Sequence, residues 1–263
     1  MTIVLVMVLI VFTSNRLLAN DIYIDQSGNN FDLDVTQDGN NNNVTLNIRG
    51  NDTTLDVYQK GTAGNIVTYV SYWGSMASHG GDIKGNNNTV RIKQYNTTGS
   101  DVNRVGMHIQ SSGNSVDICQ GATFEGPSSS TCSSYSSGTP EYGGHTINLD
   151  LHAGGNNLKL GQQTGTGNAD HNLRVYTYGG ENNDIFVKQN GNGNKTAYLT
   201  VRTDGGDQSI IQKGSGTHMA TVNIQGSYKT DFSLLQDSNS NKTYSLTQNC
   251  VTVGGCALSV TQN

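Results

Sequence analysis

The sequence predicts an all-β protein, a β-solenoid of about nine two-strand coils with two loop insertions. Three observations predict it. Short alternating runs end in glutamine, Gly/Asn steps separate them, and the 263 residues are poor in charge (13%) and in apolar side chains (33%) while holding 32 Asn and 15 Gln. Ordinary soluble domains approach a quarter charged and half apolar, so a broad aliphatic core is excluded. Disorder of this composition would bring high net charge and many prolines; the chain has a formal charge of −5 and 2 Pro. Carboxamides both donate and accept, so copies stacked in register can pair with one another.

The first stretch, Thr2 to Phe12, is apolar and too short to span a bilayer. With Ala19 as a small residue at the cleavage point, residues 1–19 read as a secretory signal, although the usual positive start is missing. The mature chain, 20–263, reads as one solenoid domain, secreted, with no membrane insertion.

Its elements follow in order. Ile22–Gln26 and Phe31–Gln37 open the series, then Thr54–Gln59, Thr89–Gln94 and Ser115–Gln120. Gln163 marks a further copy, followed by Asp184–Gln189, Ser209–Gln212, Thr221–Gln225, Phe232–Gln236, Tyr244–Gln248 and Leu258–Gln262. Alternation within a run gives one apolar and one polar face, the mark of a half-buried strand. Gly-Asn and Asn-Asn steps supply residues that tolerate positive φ in tight turns. A single copy cannot bury its own face, so copies stack. The closing residues, Gln26, Gln37, Gln59, Gln94, Gln120, Gln163, Gln189, Gln212, Gln225, Gln236, Gln248 and Gln262, are the expected ladder, because an inward carboxamide left unpaired costs about 1–3 kcal/mol.

Two stretches break the rhythm: 71–85, with the single Trp73, and 121–144, with Pro127 and Pro140. In a solenoid they become loops on one face. The cysteines fall in local pairs, Cys119 with Cys132 and Cys250 with Cys256. An even number at close spacing in an exported chain reads as disulfides, and no C-x-x-C knuckle suggests zinc.

The repeat resembles the curlin repeat of secreted fibre subunits. The nearest stretch is Gln26-Ser27-Gly28-Asn29-Asn30-Phe31-Asp32-Leu33-Asp34-Val35-Thr36-Gln37. Gln163, Gly165 and Asn168, and again Gln189, Gly191 and Asn194, keep its first positions. The resemblance implies a β-solenoid that polymerises outside the cell into a biofilm-matrix amyloid, with a nucleator subunit and secretion machinery as partners.

The ends carry a separate expectation. Strands at both ends, with Ile22, Tyr23 and Ile24 at one and Leu258 and Val260 at the other, lack the Pro and nearly all the Lys or Arg that blunt sheet edges. One molecule's last coil is therefore expected to continue onto the first coil of the next, a head-to-tail homopolymer. No catalytic or metal motif is found among the six His, no cofactor is expected, and the acidic charge opposes nucleic-acid binding. A monomeric solenoid adhesin and a β-helix enzyme acting on polysaccharide are the alternatives, the second through Arg202, Asp204 and Asp207.

Overall fold

Alternating side chains and turn residues that accept a left-handed backbone leave this chain one economical path, a flat parallel coil. A computed structural model describes residues 20–61, 64–67, 82–96, 102–110, 113–120, 144–152, 155–162, 170–178, 182–191, 193–202, 205–226, 229–251 and 255–263. The expected signal segment 1–19, residues 71–81 and 121–143 of the expected insertions, and Gln163 lie outside the described residues.

Every regular element described is a strand, and the strands form two sheets in which all pairings are parallel. The first sheet holds β1 (Asn20–Ser27), β3 (Asn42–Arg49), β5 (Asn65–Val67) and β6 (Asp82–Lys84), β8 (Asn103–Gln110), β10 (Thr146–His152), β12 (His171–Thr177), β14 (Lys195–Arg202), β16 (His218–Gly226) and β18 (Lys242–Cys250). The second holds β2 (Asp32–Asp38), β4 (Thr54–Gly61), β7 (Thr89–Asn96), β9 (Ser115–Gln120), β11 (Asn157–Gln162), β13 (Asp184–Gln189), β15 (Gln208–Gln212), β17 (Asp231–Leu234) and β19 (Ala257–Val260). The chain alternates between the sheets, so successive strands of one sheet belong to successive coils. This is a β-solenoid.

β5 and β6 share one level, both lying between β3 and β8. The first insertion is therefore shorter than its expected end at 85, since Ile83 is buried in line with Ile48 and Ile109. A three-residue strand flanked by an insertion carries too little alternation to be read from sequence.

Apolar residues stack in straight columns between the sheets. In the first sheet one column runs Ile22, Val44, Val67, Val105, Ile147, Leu173, Ala197, Ala220 and Tyr244. In the second, Leu33, Leu55, Val90, Val116, Leu158 and Ile185 form the opposing column, which continues through Gln208 to Phe232 and Leu258. The small Ala197 and Ala220 fall in the last coils, where the bulky Phe232 comes in, its ring stacked 6.0 Å from that of Tyr244. Large set against small keeps the thin core filled.

The turns from the first sheet to the second repeat almost unchanged. Gly28-Asn29-Asn30, Gly50-Asn51-Asp52 and Gly85-Asn86-Asn87 each place their third residue at φ 55–58°, the left-handed region that Asn and Asp tolerate. They stack directly: the Asn51 amide donates to Asn29 Oδ1 at 2.9 Å and the Asn86 amide to Asn51 Oδ1 at 2.7 Å. A Cβ on Gly50 would lie 1.5 Å from the carbonyl oxygen of Gly28. Gly50→Ala is therefore expected to split the first two coils locally, costing about 1–3 kcal/mol or more. Hydrogen exchange would show it as lost protection in β1 with β11 unaffected; equal protection in both variants would contradict the close stacking.

Candidate functional site

The period-two alternation aims the last inward residue of each second-sheet strand at the same corner, and there glutamines form a continuous column. Gln37, Gln59, Gln94, Gln120, Gln162, Gln189, Gln212 and Gln236 are buried. Gln59 Nε2 donates to Gln37 Oε1 at 2.6 Å, Gln94 to Gln59 at 2.8 Å, Gln120 to Gln94 at 3.0 Å, Gln162 to Gln120 at 3.2 Å and Gln189 to Gln162 at 2.9 Å. These links join residues 22, 35, 26, 42 and 27 positions apart in sequence. The register holds through both insertions.

The second Nε2 hydrogen of each glutamine ties the corner to the next first-sheet strand. Gln162 donates to the Asn172 carbonyl at 3.0 Å, Gln189 to that of Thr196 at 3.0 Å and Gln236 to that of Thr243 at 3.1 Å. The ladder changes direction once. Gln212 donates forward to Gln236 (3.1 Å) and Gln236 to Gln262 (2.7 Å), so the Oε1 atoms of Gln189 and Gln212, paired in register, accept no hydrogen bond.

Three expected ladder residues are placed differently, and Gln162 fills the column where Gln163 was expected. Gln26 and Gln248 lie in the first sheet, in register with Ile48 and Ile224. Gln225 points outward beside Arg202, whose Nε donates to it at 3.2 Å. A closing glutamine recurs in both sheets, but only the second turns it into the corner where another glutamine lies above.

A second column faces the first across that corner, and sequence reasoning missed it. At the head of the first-sheet strands Asn20, Asn42, Asn65 and Asn103 stack in register. Asn20 Nδ2 donates to Asn42 Oδ1 at 3.0 Å. From the middle of the molecule the same column is basic: His145, His171, Lys195 and His218 are all buried, followed by Lys242. His145 and His171 stack with ring centroids 5.0 Å apart. Lys195 Nζ donates to the carbonyls of Gly214 (2.9 Å), Gly193 (3.3 Å) and Gly216 (3.4 Å).

Burial lowers the Lys195 ammonium from 10.5 to about 8. Burial, with His145 and Lys195 close by, holds His171 well below the usual histidine value. His218 is housed differently, its two ring nitrogens meeting the carbonyls of Lys213 and Asn241. Six histidines with no catalytic or metal motif read, from sequence alone, as scattered surface side chains. The contrary signal was phase: His171-Asn172-Leu173 and His218-Met219-Ala220 start their runs as Asn42-Asn43-Val44 does.

The end coils display the core in cross-section. Leu258 and Val260 continue the columns of Phe232 and Leu234 yet are 54% and 38% exposed, against 2% and 1%. At the other end Ile22 and Ile24 are half-buried and Tyr23 is exposed. Among the described residues β1 pairs only with β3 and β19 only with β17.

Of the residues weighed for chemistry, the described ones are engaged elsewhere. Arg202 lies 5.4 Å over the Tyr176 ring, Asp207 pairs with Lys229 at 3.5 Å, and Asp204 is outside the described residues. A groove of about 330 Å³ on the outer face of the second sheet is lined by Asp34, Asp56, Tyr58, Arg91, Lys93 and Asp117. Its Arg91 is held by both oxygens of Asp56 at 3.3 Å. Among the described residues no three His, Cys, Asp or Glu form a metal-holding group, and no helix is long and apolar enough to cross a membrane. Neither Cys119 nor Cys256 is a free thiol; Cys132 and the Cys250 side chain are outside the described residues. No family model matches the chain, and neither a curated protein nor a solved structure does.

Proposed function

We propose that this chain is a structural subunit of an extracellular, curli-like amyloid fibre, secreted after loss of residues 1–19 and polymerising end to end for biofilm matrix or surface adhesion. Its cysteines would close two local staples, Cys119 with Cys132 and Cys250 with Cys256. A nucleator and secretion machinery are the partners this reading brings with it, and catalysis plays no part in it.

The observation that carries the reading is the match between the end coils. Laid in the register the columns already follow, Ile22 of one copy meets Tyr244 of another, Ile24 meets Leu246, and Gln26 meets Gln248. Leu33 meets Leu258, Val35 meets Val260, and Gln37 meets Gln262. At these six inward positions apolar meets apolar or carboxamide meets carboxamide, while at the head of the strands Asn20 meets Lys242. Gln26 and Gln248 stand in a column that is aliphatic next to each of them, at Ile48 and Ile224.

Val260→Pro tests it. The amides of Ala257 and Thr261 donate to Thr230 and Leu234, and parallel ladders alternate sides, so the Val260 amide faces away from β17. Proline there removes only an outward donor, the one place in an edge strand where it is tolerated. Electron microscopy of the wild-type chain from Asn20 should show unbranched filaments with a spacing near 4.7 Å, and the proline variant should remain a soluble monomer. Fibres from both variants, or from neither, would overturn the reading.

A further inference from the structure

The two end coils match in shape but not in charge. Between Asn20 and Asp38 the first coil carries Asp21, Asp25, Asp32, Asp34 and Asp38 and no cation, and all five are exposed. From Lys242 onward the last coil has Lys242 as its only charged side chain. Inside the molecule part of this acid load is met by the second coil: Asn47 Nδ2 donates to Asp25 at 3.1 Å, and Lys60 lies 3.7 Å from Asp38. The outer edge has no such relief among the described residues.

We propose that these aspartates set the polarity of assembly with a second copy of this chain, permitting first coil on last coil and barring first coil on first coil; the inference rests on the end-to-end reading above. Followed along their columns, Asp21 and Asp25 meet Thr243 and Thr247 of the neighbouring copy, Asp34 meets Ser259 and Asp32 meets Ala257. The hydroxyls can donate to the carboxylates. In the opposite arrangement two rows of aspartate meet across one strand spacing of about 4.8 Å. Like charges opposed across strands are destabilising, and no lysine or arginine lies within that coil to relieve them.

A chain whose last coil is blocked reads this directly, because only its first coil can associate. Sedimentation velocity compares Val260→Pro with the same chain carrying Asp21→Asn, Asp25→Asn, Asp32→Asn, Asp34→Asn and Asp38→Asn, in about 10 mM salt where charges act over about 30 Å. The aspartate form should be monomeric, and the asparagine form should show a dimer fraction at least tenfold higher. A second measurement needs no new side chains: raising Val260→Pro itself to about 1 M sodium chloride, where screening shortens to about 3 Å, should produce the same dimer. Monomer in both trials overturns the polarity assignment, as does a dimer of the aspartate form at low salt. Wild-type filaments formed alongside these results leave the end-to-end reading intact; a wild-type chain that makes none overturns both.

Discussion

Gln94→Leu is expected to lower stability by about 2–6 kcal/mol, whereas Gln225→Leu should change it by about 0.5 kcal/mol or less. Gln94 sits mid-column: its Nε2 serves Gln59 Oε1 and the carbonyls of Asn65 and Arg104, and it accepts from Gln120. Leucine keeps the volume but leaves a Gln59 oxygen and a Gln120 N–H buried without partners. Each orphan costs about 1–3 kcal/mol. Gln225 faces outward, so its loss strands nothing in the core. Urea unfolding in the monomeric Val260→Pro background provides the comparison, and equal costs at the two sites would refute the assignment of the ladder to one corner.

Acid is expected to weaken the second half of the solenoid. Burial and two basic neighbours hold His171 well below the ordinary histidine value, so the unfolded chain binds a proton that the folded chain does not. Stability then falls as pH drops through about 6.5, at about 1.4 kcal/mol per pH unit until the folded value is reached. Lys195 adds a rise with the same sign higher up, from pH 8 towards 10.5, where the folded amine is already neutral. The groups along the column are His145, Lys195, His218 and Lys242; Asp170, beside Asn194 at 3.5 Å, and the Lys213–Asp237 pair at 2.7 Å lie in the adjoining turns. His171→Asn restores the residue type used at Asn42 and Asn65 and should abolish the loss between pH 7 and 5. Unfolding midpoints that are flat from pH 7 to 5 in wild type would refute it.

Fold class and most strands were readable because alternation and turn chemistry agree along the chain. Ile22–Gln26 and Phe31–Gln37 correspond to β1 and β2, consecutive strands of the two facing sheets, and the Gly-Asn-Asn step between them is a turn. Glutamine identity did not reveal which sheet a run joins, so Gln26, Gln225 and Gln248 were placed in a ladder that passes through Gln162 instead. The basic column escaped notice for a related reason. A histidine or lysine at the head of a strand looks solvated until the corner around it closes, and at Lys195 the closing groups are three glycine carbonyls. The facing oxygens of Gln189 and Gln212 depend on the sense in which each amide is turned, which residue order does not encode.

The long steps of 35 and 42 residues in a column otherwise spaced by about two dozen have a consequence for valency. Closing a longer loop adds little entropy cost, about 0.6 kcal/mol per doubling, and the strands on either side stay in register. In the proposed fibre each copy advances the axis by nine levels of about 4.8 Å, or about 43 Å. Whatever the two insertions carry would then recur at that interval along the whole filament. Weak contacts presented at so regular a spacing to a surface sum to strong attachment, so the solenoid can set the avidity of its cargo without touching the ligand.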